Sequence, residues 1–212
     1  MKKIKVVGIT DGVFFGRTAV EWEGIRALFR EHGQEFVSFT EFCENRACYD
    51  LHTYQSMGIP LPIEEIQEGI LRHCDYAPCE VNEESVNALG VLADRGIIVA
   101  LLCLHDEADF MQLFACRGVT QLFDKVVYGV RGGTEKIGGR IQWMCDTIEE
   151  VTAQEIVIVT RSFLDVRSAM AAQATAVLLE HPHANTLRYP RYDFASRYGH
   201  MTCISELPTF VG

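Results

Sequence analysis

Two kinds of hydrophobic pattern divide this chain. Short, nearly uninterrupted apolar runs at residues 4–9, 97–103 (IIVALLC), 125–129 (KVVYG), 155–159 (EIVIV) and 175–180 (TAVLLE) predict strands, the strongest of them apolar at every position and so buried on both faces. Elsewhere apolar residues recur at three and four. Val20, Trp22, Ile25, Leu28 and Phe29 mark a helix over 18–30 that His32-Gly33 stops. NEESVNALGVLADRG (82–96) marks another, with Asn82 and Ser85 near its start for capping and Gly96 at its end. Further helices are predicted at 106–117, 135–150 and 162–173. From residue 97 strand and helix alternate, the pattern of parallel strands joined by right-handed helical crossovers. The segments TEFCENRAC, DLHTYQSM and PIEEIQEGILRH, the last opening at the Pro60-Leu61-Pro62 break, instead read as successive helices with no strand between them. Past His181 the pattern is irregular until HMTCI and SELPTFV, which predict an edge strand and a closing helix. The expected architecture is an α/β parallel sheet in three layers, residues 1–15 and 81–212, with an all-helical insert, 16–80, directly after the first strand.

Composition narrows the function classes. A length of 212 residues suits one α/β core plus an inserted subdomain, and 48% hydrophobic with 23% charged residues excludes a disordered chain. The net charge of −10, with no basic stripe, argues against nucleic acid or an anionic membrane as partner. No apolar run reaches membrane-spanning length, and the start MKKIKVVGIT is interrupted at Thr10-Asp11 too early for an export signal, so a cytoplasmic protein is expected. The eight cysteines then read mainly as small buried hydrophobes. Cys43 and Cys48, with His73, Cys74 and Cys79 and with His52 nearby, have spacings that suit a structural zinc site; packing cysteines are the expected reading. His181 and His183 are too isolated to make a metal site, and the aromatic-basic tail RYPRYDFASRYGH suits a surface loop or a partner contact.

In parallel sheets of this kind ligands bind beyond the carboxyl ends of the strands. Four segments therefore carry the candidate chemistry: residues 9–13, 103–105, 129–136 and 160–165. Their contents, VVGITDGVFFGRTAVEW, DRGIIVALLCLH, GGTEKIGGRIQWM and IVIVTRSFLDVRSAMAAQATAVLL, resemble in order and spacing the four motifs of the haloacid dehalogenase-like (HAD) superfamily. The resemblance covers essentially the whole chain and is to the branch of phosphoglycolate phosphatase and β-phosphoglucomutase relatives. It implies a three-layer Rossmann-like parallel sheet with an inserted helical cap.

The resemblance also implies roles, and several positions depart from them. The family motif Asp-x-Asp-Gly supplies a nucleophile that also holds Mg²⁺, then a general acid and base. Asp11-Gly12 matches its second half, which puts Ile9 in the nucleophile's place, and an alkyl group can neither attack phosphorus nor bind magnesium. Taking Asp11 as nucleophile instead leaves Val13 in the acid position and misplaces the turn glycine. Cys103 falls where a phosphate-binding Ser or Thr is usual, and a thiol is a weak donor. Lys136, after Gly132 and Gly133, matches the phosphate-neutralising lysine, although Ile137 replaces the usual proline. In the fourth motif Arg161 occupies a metal-binding aspartate position while Asp165 is retained.

Magnesium is implied by the resemblance, yet its ligands are lost here, so no cofactor is expected. Arg161 would stand in for the metal, pairing with Asp11 and Asp165, with Lys136 completing the cluster. The leading expectation is a catalytically degenerate phosphatase-fold protein, or pseudoenzyme. It would bind a small anionic or phosphorylated metabolite at Gly12, Cys103, Lys136, Arg161 and Asp165, or bind a protein partner. One alternative is a hydrolase acting on a small phosphorylated metabolite, with Asp11 as acid and base and water or Cys103, paired with His105, as nucleophile. The other is a regulatory or scaffold protein whose cleft is filled by its own side chains.

Overall fold

The computed structural model describes residues 3–14, 18–45, 49–75, 83–103, 107, 110, 119–129, 137–180 and 198–212. Strand β1 (Val6–Thr10) runs straight into the single helical turn α1 (Asp11–Phe14). Four helices follow: α2 (Thr18–Glu31), α3 (Phe39–Asn45), α4 (Leu51–Ser56) and α5 (Ile63–His73). Then come α6 (Glu83–Asp94), β2 (Ile98–Leu102), β3 (Lys125–Val127) and α7 (Ile137–Thr147). The chain ends with β4 (Ile156–Thr160), α8 (Phe163–Ala171), β5 (Thr175–Leu179), β6 (Tyr198–Met201) and α9 (Leu207–Phe210). Every strand read from the apolar runs is present within a residue or two of its expected bounds. The expected Asp11-Gly12 turn is the start of the helical turn α1.

The six strands form one sheet in the order β3-β2-β1-β4-β5-β6, and every neighbouring pair is parallel. Three buried clusters follow from this layering. One face of the sheet, with Val7, Ile9, Leu101, Val159 and Val177, packs on Leu89 and Leu92 of α6 and on Leu207 of α9. The opposite face, with Val6, Ala100, Ile158 and Ala176, packs on Ile141 and Met144 of α7 and on Val166 and Ala169 of α8. The uninterrupted apolar runs exist because β1, β4 and β5 are buried at every position. The third cluster belongs wholly to the helical insert and gathers Ile25, Leu28, Phe29, Phe42, Tyr54, Ile59 and Ile66. Helices α2 and α5 approach closely through glycines: a Cβ on Gly24 would lie 2.5 Å from Cys74 Sγ, and one on Gly69 would lie 2.7 Å from Leu28 Cδ1.

A polar clamp joins β1 to β4 at the end of the sheet remote from the carboxyl ends. Thr152 donates to Glu155 Oε2 from both its backbone N–H (3.0 Å) and its hydroxyl (2.8 Å), and Lys5 Nζ lies 3.2 Å from Oε1. The Thr152 hydroxyl and amide, then Lys5, hold the Glu155 carboxyl at about 2. A carboxyl lowered on folding contributes stability above its unfolded value and loses it as pH falls. This contribution is therefore whole above about pH 4.3, the ordinary glutamate value, and disappears as pH falls toward 2. An NMR titration is expected to place the Glu155 midpoint near 2, and Thr152→Val to move it up toward the ordinary value.

Candidate active-site cleft

Strand order places the site. Successive strands run outward from β1 through β2 to β3, after which the chain crosses back to β4 on the other side of β1. The crossovers therefore diverge between β1 and β4, opening a crevice beyond the carboxyl ends of those two strands. Asp11 and Thr160-Arg161 flank it.

Register decides which side chains share a level. Thr10 pairs with Leu102, Leu102 with Val127, and Thr160 with Leu178. One residue farther along come Asp11, Cys103, Tyr128 and Arg161. Two residues below these, Ile9 pairs with Leu101 and with Val159, and Leu101 pairs with Val126. Residues of one row in a parallel sheet face the same side, and alternate rows repeat that facing. Accordingly Cys103 and Tyr128 join the same buried cluster as Ile9.

Position 9 is thus a core position. Ile9 is fully buried among Leu101, Val159, Cys103 and Phe110. Asp11, although an aspartate, is also fully buried, and its Oδ1 accepts the Gly12 N–H at 2.8 Å. Cys103 is fully buried, and its backbone N–H donates to the Val127 carbonyl at 2.9 Å, extending the β2–β3 ladder one step.

The β4 end is organised by local hydrogen bonds. The Thr160 hydroxyl donates to Asp165 Oδ2 at 2.9 Å and accepts the Ser162 N–H at 3.0 Å. Ser162 in turn caps α8, its Oγ accepting the Asp165 N–H at 3.4 Å. Serine, threonine and aspartate at such spacing satisfy the orphan donors of a helix start, so one motif both caps α8 and orients Asp165. Thr160→Val removes both bonds in a buried setting. It is expected to lower the unfolding free energy by about 1–2 kcal/mol in urea denaturation and to speed amide exchange in the first turn of α8. Arg161 reaches sideways, its Nη1 donating to the Glu180 carbonyl at 2.8 Å. Glu180 Oε1 also lies 3.2 Å from His200 Nε2 on β6. The guanidinium is thereby tied to the chain that leaves β5.

Tyr128 is a residue that sequence reasoning passed over. It follows β3 directly, is half-buried, and packs its ring against Phe110 at 5.6 Å between centroids. Burial, then the charge of Glu107 and the neighbouring Cys103 thiol, push its hydroxyl above the usual tyrosine value. The signal available in the sequence was its place at the end of the KVVYG run. Lys136, Gly132, Gly133 and His105 lie outside the described residues. So do Cys48, Cys79, His181 and His183. Cys43 is fully buried, and Cys74 Sγ donates to the Val20 carbonyl at 3.7 Å. No group of three or more His, Cys, Asp or Glu among the described residues is arranged to hold a metal ion.

Among the described residues, the donor set at the crevice does not fit Mg²⁺. The ion requires several hard oxygen ligands in an octahedron, whereas position 9 offers a buried hydrocarbon and position 161 a cation. Asp165 Oδ2 is already engaged by the Thr160 hydroxyl.

A doubly wound parallel sheet with a helical insert behind its first strand is the fold that solved haloacid dehalogenase-like structures share with this chain. Solved structures agree along the full chain. A predicted phosphoglycolate phosphatase from Haemophilus somnus 129PT superposes with a TM-score of 0.71 at 13% identity, covering 100% of each chain. A haloacid dehalogenase-like family hydrolase from Streptococcus pneumoniae gives 0.71 at 12% identity, again over 100% of both. A protein from Thermotoga maritima described as a β-phosphoglucomutase gives 0.62 at 13%, over 98% of each. Identity this low carries the fold and no more. No protein-family model matches the chain, and no curated protein does. Among the described residues no helix is long and apolar enough to cross a membrane.

Proposed function

We propose that this protein keeps the HAD fold but has given up aspartyl-phosphate chemistry, and that it uses the crevice at β1 and β4 to bind a small anionic, phosphorylated metabolite. The observation that carries this reading is Ile9. The side chain in the nucleophile's place by motif is completely buried among apolar residues, two residues below the row of Asp11, Cys103 and Arg161. A reaction that needs a carboxylate oxygen at phosphorus has none there. Arg161, whose Nη1 donates to the Glu180 carbonyl, supplies fixed positive charge beside the crevice, and a guanidinium is a group suited to an anion's oxygens. Asp11 fits the role of pairing with that cation.

The experiment is identification of what travels with the protein. Anions released by heat from purified protein are resolved by ion chromatography and mass spectrometry, alongside Arg161→Ala. A phosphorylated small molecule at near-stoichiometric yield, lost in the variant, is the expected result. Clean protein in both samples, with no phosphorylated metabolite stabilising the wild type, overturns the binding role and leaves the scaffold reading.

A second reading is favoured by the register. Asp11, rather than Ile9, shares a level with Cys103 and Arg161, which suits a hydrolase working through Asp11. That reading requires Mg²⁺-dependent turnover on a phosphate-ester panel, abolished by Asp11→Asn.

A further inference from the structure

The tether on Arg161 leads to a histidine. Arg161 Nη1 donates to the Glu180 carbonyl at 2.8 Å, while Oε1 of the same glutamate lies 3.2 Å from His200 Nε2. Residue 180 therefore meets the cation at the crevice through its backbone and the imidazole of edge strand β6 through its carboxylate. The sheet fixes this arrangement. The Glu180 N–H donates to the Met201 carbonyl at 2.9 Å, and Leu178 pairs with His200. The His200 and Glu180 side chains are 31% and 32% exposed, so water screens their charges only in part.

The charges around His200 set the direction of the effect. Besides Glu180, the nearby turn at 204–206 brings Glu206 within its field. The Thr202 hydroxyl, then the Cys203 amide, the Thr202 amide and the charge of His200 hold the Glu206 carboxyl below the usual glutamate value. Strand β6 and α9 add no other Asp, Glu, Lys or Arg. Helix α8, on the sheet face that Leu178 shares, carries Asp165, bonded by the Thr160 hydroxyl, and the exposed Arg167. Histidine is the side chain whose ordinary charge change falls between about pH 5 and 8. With His200 neutral, the Glu180 carboxylate is a negative charge on the very residue that anchors Arg161, and it offsets part of the pull on an anion. With His200 protonated, that carboxylate is balanced by an ion pair, and the positive field at the crevice rises.

We infer that His200 is a positioning residue that tunes Arg161 through Glu180, so that a proton on its ring makes the crevice hold an anion more tightly; this rests on the anion-binding role proposed above. Sulfate is the probe, because it keeps its double charge over the range in which phosphate titrates. By calorimetry at constant ionic strength, the wild type is expected to bind it roughly fivefold more tightly at about pH 5.5 than at about pH 8. His200→Gln, which keeps a donor without a titratable charge, is expected to lose that difference. Glu180→Gln is expected to bind at both pH values as tightly as the wild type does in acid, a result that a merely structural role would not produce. Equal wild-type affinity at the two pH values, or an undiminished difference in His200→Gln, overturns the inference and leaves the crevice reading standing. Absence of sulfate binding at both also overturns it, and the co-purifying anion then decides whether the crevice reading falls too. Should His200→Gln fail to fold, NMR of the wild type decides, because coupling is reciprocal. Sulfate is expected to move the titration of the His200 ring to higher pH in the wild type and not in Arg161→Ala, and an unchanged titration sinks the inference.

Discussion

Replacing Ile9 with aspartate is expected to lower the unfolding free energy by about 4 kcal/mol or more. Two effects add. Removing a fully buried isoleucine forfeits about 1.5–3 kcal/mol of apolar burial, and a carboxyl placed among Leu101, Val159 and Phe110 finds no described partner at that level. Urea denaturation with an unchanged m-value measures it. The same substitution combined with Arg161→Asp tests the proposed loss of aspartyl-phosphate chemistry. If those two positions carry the loss, the double variant regains part of its stability on adding Mg²⁺ and turns over a phosphate ester. A folded double variant indifferent to Mg²⁺ would instead move the cause to the rest of the site, with Cys103 first among the suspects.

The cap supplies the second large effect. Phe29 is buried in the insert's own cluster, its ring 4.8 Å from Phe36 and edge-on to Tyr54 at 6.3 Å. Phe29→Ala is expected to cost about 3–5 kcal/mol, because Leu28, Phe42 and Ile66 are held within helices and cannot collapse into the space. The third cluster contains no strand residue, so the loss should concentrate in the cap. Amide exchange should rise sharply across α2 to α5 and much less in β1 and β4. Uniform loss of protection over both regions would mean that cap and sheet unfold as one unit.

These two substitutions also show how differently their positions could be read beforehand. Phe29 lies in a helical repeat with Ile25 and Leu28, and its inward place follows from spacing alone. Ile9 was legible as a departure from a motif, but its level relative to Cys103 and Arg161 was not, because that depends on the pairing of strands about ninety and one hundred and fifty residues apart in sequence. Tyr128 was missed for the same reason. Nothing local distinguishes it from the other ends of apolar runs until register sets it beside Cys103. Arg140 is a sharper case: a charged residue on a helix is expected to face water, and only the packing of α7 on the sheet reveals that it does not.

The linear chain, by itself, determined the alternation of buried strands and amphipathic helices, the helical insert after the first strand, and the chemical identity of every residue at the strand ends. Those are local properties, set by side-chain period and polarity over a few residues. Tertiary structure alone decided which strand ends lie side by side, that Arg161 is tethered to the Glu180 carbonyl, and that Arg140 is sealed inside. The reason is that register, burial and hydrogen-bond partners are relations between distant segments, chosen only when the whole sheet and its flanking helices close together.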